Sequence, residues 1–361
     1  MYSLIKPLVF ALDPELAHDL SLATLEFISK QPFLTSNLAK FYANSVPEMP
    51  VSCMGLHFKH PIGLAAGLDK DARAFAAFCA LGFSAVEMGT VTPLPQPGND
   101  KPRIFRLVED QAIINRLGFN SRGMDQFLAN LKANVTCQGI AGINVGKNAA
   151  TPIEEAHFDY VSALQRVYSA ADYVTVNISS PNTKSLRDLQ NESFLDHLLA
   201  QIKIAHTKCS KVHKKHVPIA LKVAPDLTSD EIEVIAELLI SHQFDGLIAT
   251  NTTITRPETL KSEHAAENGG LSGAPVKDLS TECIKEFYRH LNGRIQIIGV
   301  GGIKNSDDAW EKLIAGADYL QVYSQFIYQG PAMIKSIVTG LKDKISQHGF
   351  DNISDAMKAL R

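Results

Sequence analysis

Eight short runs of apolar and β-branched residues constrain the fold of this chain more than any other feature. They span residues 61–66, 85–88, 140–145, 173–178, 219–223, 246–249, 296–299 and 319–322. Stretches with helical spacing separate them, and this alternation indicates repeated βα units around a parallel sheet. Eight units fit a closed (β/α)8 barrel, the TIM barrel, better than an open dinucleotide-binding sheet, which usually has about six strands.

Polar residues or glycines stand at the C-terminal end of every run or directly after it. They are Gly67-Leu68-Asp69-Lys70, Thr90, Asn144, Asn177, Lys222, Thr250-Asn251-Thr252, Gly301-Gly302 and Tyr323-Ser324. A single polar residue at a strand end is explained equally well by a helix N-cap. Because all strand ends of a barrel meet at one mouth, where barrel enzymes keep their active sites, the complete set predicts an active site there.

Segments outside the alternation divide the chain into three regions. Residues 1–45 are expected to form short helices, with Pro14 suited to a helix start. Their apolar surface either packs on the following domain or faces a lipid or a partner. The barrel domain is predicted over 46–341, and 342–361 form a C-terminal extension. Within the barrel, the insertions 93–120 and 253–278 are long enough to be lids or walls of a site.

Composition excludes several classes of function. The formal net charge of −3 offers no basic footprint for nucleic acid. No run approaches the roughly 20 apolar residues that span a bilayer, and no cleavage signal follows the N-terminus. Membrane contact is therefore expected to be peripheral. No obligate protein partner is evident.

The cysteines suggest a reducing compartment and no metal site. Five are present, widely spaced and without a C-x-x-C pair. Cys209, His213 and His216 resemble a weak metal motif, but lysines surround them. We interpret this segment as a solvated helix face and loop, and we predict no metal.

Glycines and a lysine at the strand ends indicate an anionic ligand. In barrels the loops after the seventh and eighth strands commonly bind phosphate, which fits Gly301-Gly302 and Tyr323-Ser324. The glycine-rich segment 269–273 either closes over the same group or is an ordinary turn. Lys222 interrupts an apolar strand, so its ammonium needs a partner. That partner is either an anionic ligand such as a reduced flavin or a structural salt bridge.

The fourth strand leads into Asn177-Ile178-Ser179-Ser180-Pro181-Asn182-Thr183. Two asparagines around a serine-proline turn offer donors and acceptors for a flat, amide-rich ligand. A serine in such a turn is more often a turn former than a catalyst.

Five strings together resemble the dihydroorotate dehydrogenase family. They are Gly63-Leu64-Ala65-Ala66-Gly67-Leu68-Asp69-Lys70, Gly89-Thr90-Val91-Thr92-Pro93, Asn115-Arg116-Leu117-Gly118-Phe119-Asn120, the Asn177–Asn182 segment, and Ala249-Thr250-Asn251-Thr252-Thr253. In that family a serine base and an extra N-terminal helical region mark the quinone-reducing class, whereas the soluble class uses a cysteine base. Ser180 stands at the base position here, so the resemblance implies the quinone-reducing class, class 2.

The resemblance implies a set of site residues around one FMN per chain. Ser180 would be the catalytic base. The FMN-binding residues would be Ala66, Gly67, Leu68, Asp69, Lys70, Thr90, Asn144, Asn177, Lys222, Thr250, Gly273, Gly302, Tyr323 and Ser324. The dihydroorotate-binding residues would be Lys70, Asn115, Arg116, Leu117, Gly118, Phe119, Asn177, Asn182, Asn251 and Thr252. One departure is Ala274, where many relatives have a basic residue near the flavin phosphate.

By the same resemblance, the protein would oxidise (S)-dihydroorotate to orotate in de novo pyrimidine biosynthesis and pass the electrons to a membrane quinone. His18 and Arg106 are candidates for quinone contacts, although His18 is equally well explained as an exposed helix histidine. The expected location is the cytoplasmic face of a bacterial-type inner membrane, at the lipid surface. Three alternatives remain: the soluble class, a dihydrouridine synthase acting on RNA, and a non-catalytic barrel that binds a phosphate ligand.

Overall fold

The computed structural model describes residues 2–135, 137, 139–183 and 185–361. Its strands are β1 (Val51–Cys53), β2 (Leu56–Phe58), β3 (Ile62–Leu64), β4 (Ala85–Val91), β5 (Ile104–Leu107), β6 (Ala112–Asn115), β7 (Ile140–Val145), β8 (Tyr173–Asn177), β9 (Ile219–Val223), β10 (Gly246–Ala249), β11 (Gly270–Gly273), β12 (Gln296–Val300) and β13 (Tyr319–Val322). Its α-helices are α1 (Tyr2–Phe10), α2 (Pro14–Ser29), α3 (Pro32–Phe41), α4 (Phe75–Ala80), α5 (Met124–Ala133), α6 (Ala156–Val167), α7 (Glu192–His213), α8 (Ser229–Ser241), α9 (Lys277–Leu291), α10 (Ser306–Ile314), α11 (Ser324–Gln329), α12 (Ala332–Gln347) and α13 (Ile353–Leu360).

Eight of these strands form a closed parallel barrel, which confirms the predicted (β/α)8 fold. The order around the barrel is β3, β4, β7, β8, β9, β10, β12 and β13, and β13 pairs with β3 to close it. Each barrel strand lies within one of the eight predicted runs or extends it by up to three residues, as β4 does to Val91. Because both faces of these strands are covered, the runs are almost continuously apolar.

Tyrosines and glycines share the interior of the barrel. Tyr173 and Tyr319 are completely buried there. A Cβ atom at Gly142 would overlap the ring of Tyr173, and one at Gly63 would overlap the Tyr319 hydroxyl. Glycine is therefore needed at both positions to make room for a ring, which is how a barrel of small cross-section fills its core.

The two insertions pair with each other. Strands β5 and β6 come from the first insertion and β11 from the second, and together they form an antiparallel three-stranded sheet with Asn115 opposite Gly270. An ion pair of 2.7 Å between Arg116 and Glu267 also joins the insertions. They thus form one wall beside the barrel mouth.

The N-terminal helices are partly anchored and partly exposed. Helix α2 begins where predicted, with Pro14 in its first turn and the Asp13 carboxylate accepting hydrogen bonds of 3.0 Å from two backbone N–H groups. Glu15 and Glu26 tie α2 to Arg103 and Arg73 at 2.8 Å and 2.6 Å. Of the helices described, none is long and apolar enough to span a bilayer.

The C-terminal residues pack on the barrel. The predicted boundary between 341 and 342 falls inside α12, which continues to Gln347. Helix α13 contacts α10 and α12. The last residue, Arg361, forms an ion pair of 2.9 Å with Asp318, and its guanidinium lies over the ring of Tyr288 at 5.3 Å. The extension therefore covers one side of the barrel.

Candidate active site

A cavity at the C-terminal mouth of the barrel gathers most of the predicted site residues. Those that line it are Ala66, Gly67, Lys70, Thr90, Asn115, Leu117, Gly118, Phe119, Asn177, Ser180, Asn182, Lys222, Thr250, Asn251, Thr252, Gly273, Gly302, Tyr323 and Ser324. Seven of the eight barrel strands, or the loops that follow them, and both insertions contribute to this set; β7 is the exception. The cavity joins a glycine-rich end, a polar floor and a serine-bearing loop.

Four of the residues predicted to bind flavin or substrate do not line the cavity. Leu68 and Asp69 are buried behind it, and the Asp69 carboxylate accepts hydrogen bonds of 2.8 Å and 2.7 Å from the backbone N–H groups of Arg73 and Ala74. Burial raises the pKa of Asp69 to about 6, partly offset by those bonds. The Arg116 guanidinium turns outward to Glu267 and the Phe105 ring. The fourth, Asn144, lies beneath the floor.

The floor is a network of amide and hydroxyl groups. The Asn177 Nδ2 atom donates to Thr90 Oγ1 at 3.0 Å and to Asn144 Oδ1 at 3.2 Å. Thr90 also donates to Asn144 Oδ1, at 2.6 Å. On the other side, Asn251 Nδ2 donates to Asn177 Oδ1 at 3.3 Å. These bonds fix the amide planes that a flat ligand would meet.

Lys222 points into the mouth, and its buried partner is a residue that the sequence analysis missed. Glu87 on β4 is fully buried, and its Oε1 lies 3.7 Å from Lys222 Nζ. The signal was present, because Glu87 interrupts the apolar run 85–88 just as Lys222 interrupts 219–223. The structural salt bridge considered for Lys222 therefore exists, and Lys222 lines the cavity as well.

Lys70 stands between two cavities. Its Nζ donates to Asn120 Oδ1, and the side chain lines both the main cavity and a second one beside α2. Burial, with a smaller contribution from the Arg103 charge, lowers the pKa of Lys70 to about 7. A lysine with such a pKa changes between its charged and neutral forms near neutral pH.

Ser180 lies on the loop after β8, which an arginine holds in place. Its Oγ accepts a hydrogen bond of 3.3 Å from the backbone N–H of Asn182. Arg187 donates to the Ser179 carbonyl at 3.1 Å and to the Thr252 carbonyl at 2.9 Å. The hydroxyl thus faces the cavity from a loop that is tied to the opposite substrate loop.

The glycine-rich end has room for a phosphate group. Gly302 has a φ of 69°, and a Cβ atom there would overlap the backbone of Lys277. Next to it, Ser272 and Ser324 are joined by a hydrogen bond of 2.8 Å between their hydroxyls. Backbone N–H groups exposed by glycine, together with hydroxyl donors, suit phosphoryl oxygens. Ser272 also lines the cavity and was not predicted.

The second cavity lies between α2 and the barrel mouth and contains one of the two quinone candidates. His18 lines it together with Gly67, Lys70 and Tyr323. Burial, followed by the Lys70 charge, lowers the pKa of His18 to about 4. His18 is therefore partly buried rather than a freely exposed helix histidine. Arg106 does not line the cavity; its guanidinium lies 4.8 Å from the centre of the Phe10 ring and holds α1 on the barrel.

Histidines at the end of α7 lie apart from this mouth. Possible ligand atoms of His206, His216 and Asp245 lie within 4.8 Å of one another. One ring nitrogen of each histidine already has a partner, since His206 Nε2 lies 2.8 Å from the Val217 carbonyl and His216 Nε2 lies 2.8 Å from Asp245. This hydrogen bonding accounts for the arrangement.

Comparison with known proteins agrees with this geometry. The family model described as dihydroorotate dehydrogenase matches residues 48–345. A relative named dihydroorotate dehydrogenase (quinone) from Shewanella denitrificans is 51% identical over 344 residues, which are 95% of this chain and 100% of the relative. A relative of the same name from Idiomarina loihiensis is 51% identical over 341 residues, covering 94% of this chain and 100% of the relative.

Solved structures agree as well. The crystal structure of DHODH from Eimeria tenella in complex with ferulenol superposes with a TM-score of 0.87 at 40% identity and covers 96% of this chain and 95% of that chain. The ligand-free structure from the same organism gives a TM-score of 0.85 at 40% identity, with 95% and 98% covered.

Proposed function

Since the chain belongs to the dihydroorotate dehydrogenase family, we propose that its cavity binds one FMN and oxidises (S)-dihydroorotate to orotate, with a quinone as electron acceptor. The observation that carries this proposal is the meeting of Ser180, Lys70 and the Gly302 loop in one cavity. A proton acceptor, a cation and a phosphate cradle are the three groups that such a reaction requires.

The cavity residues fit a flavin mononucleotide. Gly302, Gly273 and Ser324 would hold its phosphate at the glycine-rich end, while Thr90, Asn177 and Lys222 would hold the ring. Gln321 Oε1 is buried without a hydrogen-bond partner, and its side chain lines the cavity, so it offers an acceptor to a bound N–H group. When bound, the flavin supplies the hydride acceptor for carbon 6 of the substrate. The name of the relatives, dihydroorotate dehydrogenase (quinone), supports the predicted quinone-reducing class over the soluble class and over the RNA-modifying alternative.

The protein residues would orient dihydroorotate and take its proton. Ser180 accepts the proton from carbon 5, next to a carbonyl, as hydride leaves carbon 6. Lys70 binds the carboxylate, and asparagines bind the amide edges. The Asn182 Nδ2 atom donates to Asn115 Oδ1 at 3.2 Å, so the serine loop and the first insertion already form one surface. Arg116 would contribute indirectly: its ion pair with Glu267 joins the first insertion to the second, and it would not contact the substrate.

The quinone would enter beside the N-terminal helices at a lipid surface. In the described chain, nine of the seventeen large, exposed apolar side chains lie within the first 41 residues: Leu4, Ile5, Leu8, Leu12, Leu16, Leu20, Phe27, Phe33 and Phe41. An apolar face of this kind suits an interfacial helix. The second cavity leads from α2 to Gly67 and Lys70 at the flavin end. Peripheral attachment to the cytoplasmic face of an inner membrane follows as part of the proposal.

The proposal assigns a role to each of the three regions of the chain. Residues 1–45 would provide membrane contact and quinone access, 46–341 the catalytic barrel, and 342–361 a helical brace on its side. His18 would be the quinone contact of the first region. Arg106 would act indirectly, by fixing α1.

The absorption spectrum of the purified protein tests the proposal. The protein should carry a flavin absorbance that is bleached anaerobically by dihydroorotate. Ser180→Ala should keep the flavin but bleach about 10²–10⁴ times more slowly, because proton abstraction is lost. Ser180→Cys should regain part of the rate toward higher pH, as the thiolate forms.

A neighbouring serine provides the matched control. The Ser179 hydroxyl bonds to Asn177 Oδ1 at 3.1 Å and does not line the cavity. Ser179→Ala should therefore slow bleaching much less than Ser180→Ala. A wild-type rate in Ser180→Ala would rule out the base assignment, and a colourless protein that ignores dihydroorotate would favour the binding-only barrel.

A further inference from the structure

Glu87 is a buried carboxylate without an assigned role. It lies on β4 in the barrel interior, with none of its surface exposed, and it does not line the cavity. Burying a carboxylate costs several kcal/mol unless partners offset that cost. Glu87 lies directly beneath the floor of the flavin site, which indicates that its buried charge serves that site.

Donors from four other strands surround the carboxylate. Asn144 Nδ2 donates to Oε1 at 2.8 Å, Gln321 Nε2 donates to Oε2 at 2.8 Å, and the Tyr173 hydroxyl donates to Oε2 at 3.1 Å. The Lys222 ammonium is 3.7 Å from Oε1. An ionised carboxylate is an acceptor only, so this set of donors matches the charged form.

The same carboxylate sets the orientation of the amide groups in the floor. Because Asn144 turns its Nδ2 toward Glu87, its Oδ1 faces upward and accepts from Thr90 and Asn177. The Asn177 amide is oriented in turn, with its Oδ1 accepting from Asn251. Glu87 is thus the acceptor at which this chain of donors ends.

Two buried tyrosines lie near the pair in the barrel interior. Tyr173 on β8 and Tyr319 on β13 are the neighbouring titratable groups of the interior, and burial raises the pKa of both phenols, so they stay neutral. Lys70 lies in the outer wall and bonds to Asn120. Lys222 and Glu87 thus form a pair of opposite charges that is almost completely removed from water, with the two residues 4% and 0% exposed.

We propose that Glu87 is a positioning residue for the flavin site, which keeps Lys222 protonated and in place whether the flavin is oxidised or reduced. This inference rests on the proposed function. With the pair intact, Lys222 is already charged before the flavin becomes anionic, so reduction draws no proton to either member. Without Glu87, a buried ammonium lacks its anion, loses its proton to solvent, and regains it when the reduced flavin supplies negative charge.

The proposal can be tested by measuring how many protons the protein takes up when the flavin is reduced. Each additional proton taken up with two electrons changes the reduction potential by about 30 mV per pH unit, the value of a tenfold change in a two-electron equilibrium. Glu87→Gln should therefore have a steeper pH dependence of the flavin potential than the wild-type protein, by up to about 30 mV per pH unit. The amide is nearly isosteric with the carboxylate that it replaces, and the Tyr173 hydroxyl, 3.1 Å from Glu87 Oε2, can accept from the new donor.

Two further variants isolate the charge pair. Lys222→Met leaves Glu87 without its cation, so the carboxylate should take up the proton on reduction and steepen the slope too. The double variant Glu87→Gln with Lys222→Met has neither charge and should return to the wild-type slope. Tyr173→Phe removes one hydrogen bond from Glu87 without changing charge, so it should also keep the wild-type slope.

The experiment is a spectroscopic redox titration between pH 6 and 9, on protein that retains its flavin through gel filtration. Steeper slopes in both single variants and a restored slope in the double variant support the proposal. A wild-type slope in flavin-loaded Glu87→Gln or Lys222→Met overturns it. A protein that binds no flavin refutes the proposed function, whereas unchanged slopes in a flavoprotein reduced by dihydroorotate refute only the role of Glu87.

For variants that lose the flavin, the proposal is tested on the apoprotein. In Glu87→Gln, Lys222 should give up its proton on folding, so the unfolded state binds more protons and the free energy of unfolding should rise with pH relative to wild type. Denaturant titration at pH 7 and 9 measures this difference, which the double variant should abolish. An unchanged pH dependence in Glu87→Gln apoprotein overturns the proposal.

Discussion

Binding of the substrate carboxylate should weaken as pH rises through the pKa of Lys70. Burial first, and then the Arg103 charge, lower that pKa to about 7 from an ordinary 10.5. The folded protein therefore loses the Lys70 charge above about pH 7. Because an anion favours the ammonium form, binding of dihydroorotate or orotate should take up a proton at alkaline pH.

The pKa sets the size of the effect. If only the protonated form of Lys70 binds the carboxylate, affinity falls about tenfold for each pH unit above 7. Between pH 6 and 8.5 the dissociation constant of orotate should rise about thirtyfold. Of the perturbed groups near Lys70, His18 has a pKa of about 4 and stays neutral across this window, whereas Asp69 has a pKa of about 6 and is charged over most of it.

Calorimetric titration of oxidised holoenzyme with orotate measures this constant directly, since the product does not reduce the flavin. Lys70→Arg keeps a charge that does not titrate, so its affinity should be nearly independent of pH. Lys70→Met should bind weakly at every pH.

Two outcomes would contradict the reasoning. One is a wild-type affinity that is as independent of pH as that of Lys70→Arg. The other is a Lys70→Met variant that keeps the wild-type pH dependence, which would place the titrating group elsewhere.

Two further predictions concern the glycine-rich end and the N-terminal face. Gly302→Ala should lose FMN on gel filtration because a Cβ atom overlaps the Lys277 backbone, whereas Gly293→Ala, with a similar φ of 70° and open space around it, should keep FMN and lose only about 1 kcal/mol of stability. Leu8→Gln should lower binding to anionic liposomes and quinone reduction, while Val212→Gln on α7 should change neither, although the two side chains are 73% and 76% exposed. Equal FMN retention in both glycine variants, or equal liposome binding in both glutamine variants, would contradict the assignment of that surface.

Much of the barrel could be predicted from the sequence because its strands are buried on both faces. A strand of this kind is an almost continuous apolar run, as in 140–145 and 219–223, which coincide with β7 and β9. The residues at the C-terminal end of such a run lie at the barrel mouth, so Asn177 and Thr250 could be assigned to the site from position alone. Lys222 was detectable for the same reason, as a charge within an apolar run.

The roles of individual charged residues required the tertiary structure. Arg106 and Arg116 lie in segments expected to contact ligands, yet one holds α1 and the other closes the insertion on Glu267. The direction of a long side chain depends on which partner the fold brings within reach, and local sequence contains no information on that partner. Asp69 likewise accepts from backbone N–H groups behind the cavity instead of facing it.

Contacts between distant segments could be known only after the chain closes. The pairing of Asn115 with Gly270 joins two insertions that the sequence presents as separate loops, because short antiparallel strands carry too weak a pattern to identify their partner. Glu87 and Lys222 each interrupt an apolar run, but their ion pair arises from the barrel geometry, which brings side chains of β4 and β9 together in one interior. The sequence by itself thus determined the strands and the barrel mouth, because burial on both faces makes each strand an almost continuous apolar run. The tertiary structure decided which charges neutralise each other inside the closed barrel.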